Sequence, residues 1–223
     1  VILPNLSKYV KSKNYSKINF IQNKSLELSI FLSLPAAICL LIGSKEITSA
    51  LFGYGSFDEQ SVNNSASALF YFSLGLPAFS IIKIFSSFLF ARNNTKTPFY
   101  FSIVSVLINI FISISLFSKI GFLIIPIATS IASWINAIML FIYINNKKYF
   151  IFRDNSFFLY LKIFFSTILA SILFFNLINF FENYLVYESN FKLFLIIILV
   201  LVTFVIYILI SMITKAFNKS DIK

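Results

Sequence analysis

Gly75–Pro98 reads GLPAFSIIKIFSSFLFARNNTKTP, an apolar segment with one lysine inside it that stops at a short basic, polar turn. Lys83 stands nine residues before Arg92, which the helical rise converts to about 13 Å. A hydrocarbon core is about 30 Å thick, so this depth puts Lys83 nearer the middle than the edge. A cation there costs about 2.5–3.5 kcal/mol on insertion scales, and such residues usually face a protein interior or a wet cavity. The remaining segments read as walls built around that helix, in an all-α integral membrane fold.

Composition agrees. Of the 223 residues, 59% are hydrophobic and 12% charged, with mean hydropathy +0.90. A soluble domain carries about 25% charged residues. The net charge of +10 invites a nucleic-acid reading, but the basic residues fall in loops between long apolar runs. That distribution suits membrane topology and argues against a nucleic-acid partner. There is no histidine, and the one cysteine, Cys39, lies in an apolar run. A Cys/His zinc site and an intrachain disulfide are excluded. The chain opens Val1-Ile2-Leu3-Pro4, without methionine or a signal-peptide pattern, and reads as the later part of a longer protein.

Residues 1–24 carry five lysines and no acid, which predicts a basic, partly helical segment on the cytoplasmic membrane surface. Six apolar spans follow, near Leu26–Gly43, Ser65–Ala91, Pro98–Phe117, Phe122–Ile144, Phe157–Phe181 and Phe191–Ile213. The alternate loops 1–24, 92–97, 145–156 and 214–223 together hold thirteen Lys/Arg; the opposite loops hold only Lys45, Lys119 and Lys192. The first set, including the C-terminus, is therefore expected in the cytoplasm. Glu46, Asp58, Glu59, Glu182 and Glu188 fall on the opposite side.

The longest outer loop, 44–64, contains LFGYGSF, whose Gly53 and Gly55 favour either a turn or a compact cap. Pro35, Pro77 and Pro126 lie inside predicted spans and are expected to kink them. Kinked helices commonly surround the cavity of a transporter. The last two spans have no proline or glycine and read as lipid-facing, with Lys162 snorkelling to the headgroups.

No enzyme constellation is present. Without histidine there is no Ser-His-Asp or Cys-His machinery, no Walker loop occurs, and the acids lie in loops or near span ends. The expected role is therefore binding and moving something. Lys83 can attract an anionic group such as a phosphate, or bend toward the interface. Arg92 and Lys96 can touch a phosphate at the cytoplasmic mouth, or serve as ordinary loop charges. Asn109 and Ser113 share a helix face. With Thr129 they offer oxygens to a small cation such as Na⁺, or hydrogen bonds between helices.

LPNLSKY at the start, LSLPAAICLL in the first span, LFGYGSF, the Gly75–Pro98 stretch and ATSIASWINAIML resemble, in order from Ile2 to about Ile144, the C-terminal part of the MurJ (MviN) lipid II flippases, of the multidrug/oligosaccharidyl-lipid/polysaccharide exporter superfamily. The resemblance implies a fourteen-helix, two-lobe protein of the bacterial inner membrane whose last two helices form a groove for a polyprenyl tail. Residues 1–25 would then be the end of a preceding helix and a basic cytoplasmic segment, and 26–144 a four-helix part of the C-terminal lobe. Residues 145–156 would form a cytoplasmic loop, 157–213 the two additional helices and 214–223 a cytoplasmic tail. The implied substrate is lipid II, the undecaprenyl-diphosphate-linked disaccharide-pentapeptide used in peptidoglycan synthesis, moved from inner to outer leaflet among membrane lipids.

The resemblance also assigns substrate contact to Lys83, Arg92 and Lys96. No cofactor is implied beyond Na⁺ as a coupling ion in some members. Its positions would fall on Asn109, Ser113, the Ile125 carbonyl and Thr129, with Ser113 where a carboxylate is expected, a change that weakens a cation site. Two other readings stand beside it. One is a sibling exporter of another lipid-linked oligosaccharide or a cationic small molecule, which should hold acids in its cavity. The other is a membrane scaffold that transports nothing.

Overall fold

A computed structural model describes residues 2–216, and among these no strand occurs. The helices are α1 (Ile2–Lys11), α2 (Tyr15–Ile42), α3 (Ser44–Phe52), α4 (Glu59–Ser73), α5 (Leu76–Phe90), α6 (Lys96–Ile120), α7 (Ile124–Asn146), α8 (Ser156–Phe180), α9 (Glu182–Leu185) and α10 (Lys192–Ile213); a 3-10 turn, Gly121–Leu123, joins α6 to α7. Part of the expected tail, 217–223, lies outside the described residues.

Four stretches are long and apolar enough to cross a membrane: Tyr15–Ile42, Lys96–Asn146, Ser156–Phe180 and Lys192–Ile213; α4 and α5 make a fifth as a broken pair. The stretch expected as one span over Ser65–Ala91 is thus interrupted at Leu74 and Gly75. In the other direction, the first span is longer than predicted, because α2 begins at Tyr15 and runs through the basic segment. The Asn14 side chain accepts a hydrogen bond from the Lys17 amide at 3.1 Å, satisfying one of the free donors at its start.

The expectation of three proline kinks is corrected. Only Pro35 is interior to its helix. Pro77 is the second residue of α5, and Pro126 the third of α7. In a first turn the missing N–H has no intrahelical acceptor to lose, so proline starts these helices without bending them.

The chain forms two compact units. One takes the residues up to Ser33 with Gly75–Ser156. In it α6 and α7 are antiparallel: the Ser105 hydroxyl donates to the Ala132 carbonyl (2.8 Å), and further along the Asn109 amide donates to the Thr129 hydroxyl (2.9 Å). Helix α5 buries Pro77, Ala78, Ile84, Phe85, Phe88 and Leu89. The Phe85 ring stacks on Phe141 and the Phe88 ring on Phe150, at 6.0 and 5.9 Å between centroids. Asn23, fully buried on α2, ties the 151–156 segment down: its amide donates to the Ile151 carbonyl (2.8 Å), and its oxygen accepts from the Arg153 amide (3.2 Å).

The other unit takes Leu34–Leu74 with the chain from Phe157 onward. Its core holds Ala50, Phe174, Ile178, Leu185, Ile196 and Leu199. Helix α10 buries Ile196, Leu199, Thr203, Tyr207 and Ser211, a stripe at three- and four-residue spacing. The opposite faces of α8 and α10 expose Phe164, Phe165, Ile172, Leu201 and Val205. The LFGYGSF stretch resolves into the end of α3, a turn through Gly55 at φ +60°, and Asp58, whose carboxylate caps α4 by accepting from the Ser61 amide at 2.8 Å.

Candidate functional site

Helix α5 forms where it does because Gly75 lets its first turn approach α7. A Cβ on Gly75 would meet the Ser130 hydroxyl at 2.9 Å and the Ser130 Cα at 3.1 Å. Pro77 then supplies a ready-made helical φ. With the buried stripe through Ala78, Phe85 and Phe88 facing the protein, the 100° step per residue turns Lys83 to the opposite side. Lys83 is exposed there with Phe79 and Phe90, and its ammonium has no partner among the described residues. Its backbone carbonyl accepts from the Ser87 hydroxyl at 2.8 Å. Chemically the face offers one uncommitted positive charge, halfway along an apolar helix.

Arg92 is differently placed. Its guanidinium donates to the Phe88 carbonyl (2.8 Å) and the Tyr149 carbonyl (3.0 Å) and lies 4.6 Å from the centre of the Tyr149 ring. Burial pulls its pKa below the ordinary arginine value, with Tyr149 acting in the opposite sense. The group therefore ends α5 and fastens the 149 segment to it. Lys96, the first residue of α6, is exposed. Between them Asn94 accepts from the Thr97 amide (3.2 Å) and donates to the Tyr143 hydroxyl (3.2 Å), which fixes the turn. No hydrogen bond joins Lys83, Arg92 and Lys96 to one another among the described residues.

Three of the four proposed sodium ligands do come together. The Asn109 amide donates to Thr129, and the Thr129 hydroxyl donates to the Ile125 carbonyl at 2.8 Å. The Ser113 hydroxyl is shielded from solvent and has no hydrogen-bond partner. Two of the oxygens are thus tied into a neutral chain in which Asn109 donates through its side-chain nitrogen. No cluster of three acidic, cysteine or histidine residues fit for a metal occurs among the described residues. As it stands, the geometry of the set is that of hydrogen bonding between α6 and α7.

Sequence reasoning missed three residues. Asn23 gave no signal beyond its polar setting in QNKS. Glu27, near the start of the first expected span, is 7% exposed on α2, a burial the sequence did not signal. Lys192, assigned to an outer loop, is 1% exposed. Its ammonium donates to the Gly53 carbonyl at 2.7 Å and to the Tyr187 carbonyl, and lies 4.4 and 4.6 Å from the ring centres of Tyr54 and Tyr187.

The lipid II flippase MurJ family model matches residues 1–196. Among curated relatives, a protein of Rhizobium meliloti (strain 1021) named "Probable lipid II flippase MurJ" is 38% identical over 63% of this chain and 26% of its own length. Proteins of the same printed name from Rickettsia prowazekii (strain Madrid E) and Buchnera aphidicola subsp. Baizongia pistaciae are 36% and 30% identical, over 64% and 78% of this chain and 28% and 34% of theirs. A solved structure of the lipid II flippase MurJ in an inward closed conformation aligns with TM-score 0.75 at 25% identity, covering 96% of this chain and 42% of that one. The chain spans about a quarter to a third of the length of these curated relatives.

Proposed function

The chain belongs to the MurJ lipid II flippase family, and from that premise we propose that it is the C-terminal part of a transporter that moves lipid II from the inner to the outer leaflet of the bacterial cytoplasmic membrane. Six crossings are proposed: α2, the broken α4–α5 pair, α6, α7, α8 and α10, with the C-terminus cytoplasmic. They would belong to a fourteen-helix protein with a second lobe upstream. The diphosphate-linked headgroup would pass through a cavity between the lobes by alternating access, with the polyprenyl tail left in the membrane. This is transport, not bond chemistry.

The observation that carries the reading is Lys83, uncommitted and exposed on the unpacked face of an apolar helix. Taking a charged group out of water costs several kcal/mol per ion, even after relaxation. An ammonium already held at that depth offsets part of this cost for a diphosphate. Arg92 supports the helix end in this scheme and Lys96 remains free to meet the headgroup at the cytoplasmic mouth. The α6–α7 polar chain is read as packing, and no step runs through sodium.

The test uses the full-length protein in bacteria depleted of their own lipid II flippase, with outer-leaflet lipid II assayed by an externally added degrading enzyme. The wild type should restore outer lipid II. Lys83→Ala should lower it by about tenfold or more, the worth of one charge-assisted contact, and Lys83→Arg should retain most of it. An unchanged Lys83→Ala rate removes the proposed role of this lysine. Good expression of the wild type without rescue removes the substrate.

A further inference from the structure

Ser80 and Ser86 stand three residues before and three after Lys83 on α5. The helical step puts one a turn before it and the other a turn after, about 60° to either side, so both share the unpacked half of the helix with the ammonium. Positions at this spacing have Cβ atoms about 5–6 Å apart, within reach of one small ligand.

A serine in an apolar helix ordinarily satisfies its hydroxyl by donating to the carbonyl four residues back. Ser25, Ser67, Ser87, Ser133 and Ser171 all do so, at 2.7–2.8 Å. Ser80 and Ser86 do not: both are half-buried, and neither hydroxyl has a hydrogen-bond partner among the described residues. A half-buried donor left unpaired costs free energy that a bound acceptor would recover.

The charge around these hydroxyls has one sign. From Gln60 to Arg153 the chain holds seven Lys or Arg and no acid. Nothing on this stretch offsets Lys83, so the complement to one ammonium with a hydroxyl on each flank is an anion whose oxygens point two ways. The hydroxyl-bearing positions lie about 9 Å apart along the axis. A single phosphate seated on Lys83 reaches one of them, whereas two phosphates joined through a bridging oxygen reach both. Resting on the flippase reading above, we propose that Ser80 and Ser86 each take one phosphate beside Lys83, so that this face of α5 selects a lipid diphosphate over a lipid monophosphate.

The test is equilibrium binding to the purified full-length protein in detergent, with farnesyl diphosphate and farnesyl phosphate as probes. The wild type should bind the diphosphate more tightly. Ser80→Ala and Ser86→Ala should each lower diphosphate affinity about three- to tenfold, the net worth of one hydrogen bond. The double variant should lose about tenfold or more of the preference, keeping only what the Lys83 charge gives. Alanine suits a helix better than serine, so these variants are expected to fold, and a merely structural effect would weaken both probes alike. Ser80→Thr, which keeps the hydroxyl, should keep the preference. Inorganic pyrophosphate separates the sources of the anion: tighter binding than farnesyl diphosphate would assign the site to a soluble diphosphate and overturn the lipid assignment. The proposal also falls, with the flippase reading standing, if the wild type restores outer lipid II in depleted cells but shows no diphosphate preference, or if the folded double variant keeps the wild-type preference. A wild type that binds neither farnesyl probe and restores no outer lipid II removes both.

Discussion

Lys192 inverts the usual account of a lysine at the end of a membrane helix. Such residues ordinarily carry their charge out to water, but this one turns inward, onto two carbonyls and between two tyrosine rings. The Tyr187 hydroxyl adds a bond to the Phe57 carbonyl at 2.7 Å, so the Gly-Tyr-Gly turn is held to the start of α10 from both sides. Lys192→Met keeps the length and removes the donor, leaving buried carbonyls unpaired at about 1–3 kcal/mol in all. The expected result is a lower thermal-unfolding midpoint for the full-length protein in detergent and faster proteolysis at 53–57. Lys83→Met, at an exposed position, should leave both unchanged. Equal midpoints for Lys192→Met and wild type would show that the cage holds nothing. None of this was legible in the sequence, because Lys192 meets Gly53 across 139 residues and local pattern carries no record of such a pairing. Lys83 was legible, because an isolated cation in an apolar run is visible by contrast alone.

Among the described residues each apolar run picked out by hydropathy falls on a helix, and the differences lie at their ends and breaks. Runs of apolar residues report burial in lipid or protein; they do not report where a backbone must pass close to another. Gly75 shows the difference. In the sequence it lies inside the single span expected over Ser65–Ala91 and carries no signal of its own, yet the contact that needs it is with Ser130, on another helix. Gly75→Val puts side-chain atoms against the Ser130 backbone, so α5 and α7 must separate, at a cost of about 1–3 kcal/mol. Gly43→Ala is the comparison: its Cβ would meet the Phe174 ring at 3.0 Å, and a ring at the end of a side chain can yield. Thermal midpoints in detergent should rank wild type, then Gly43→Ala, then Gly75→Val. The reverse order would mean that the α5–α7 approach is not tight.

For the molecule as a whole, the proposed sidedness rests jointly on the loop charges and the broken α4–α5 pair. The division into two interleaved units was hidden from sequence reading, since residues 34–74 join the chain beyond Phe157 and not their immediate neighbours. The thirteen-to-three distribution of basic residues, by contrast, is a property of composition alone. On the proposed topology Leu76–Phe90 returns the chain to the cytoplasm, even though neither α4 nor α5, at 15 residues each, is long enough to cross by itself. If the pair turned back within the membrane, Thr95 would lie outside, and α6, α7, α8 and α10 would each reverse direction. Single cysteines at exposed positions, introduced after Cys39→Ser, read this out. A membrane-impermeant maleimide should label Ser56→Cys and Asn183→Cys in intact cells with permeabilised outer membranes. Thr95→Cys and Asn155→Cys should label only after the inner membrane is opened. Labelling of Thr95→Cys in intact cells would make α4–α5 a re-entrant element, and it would put the Arg92–Lys96 turn on the side where no substrate enters.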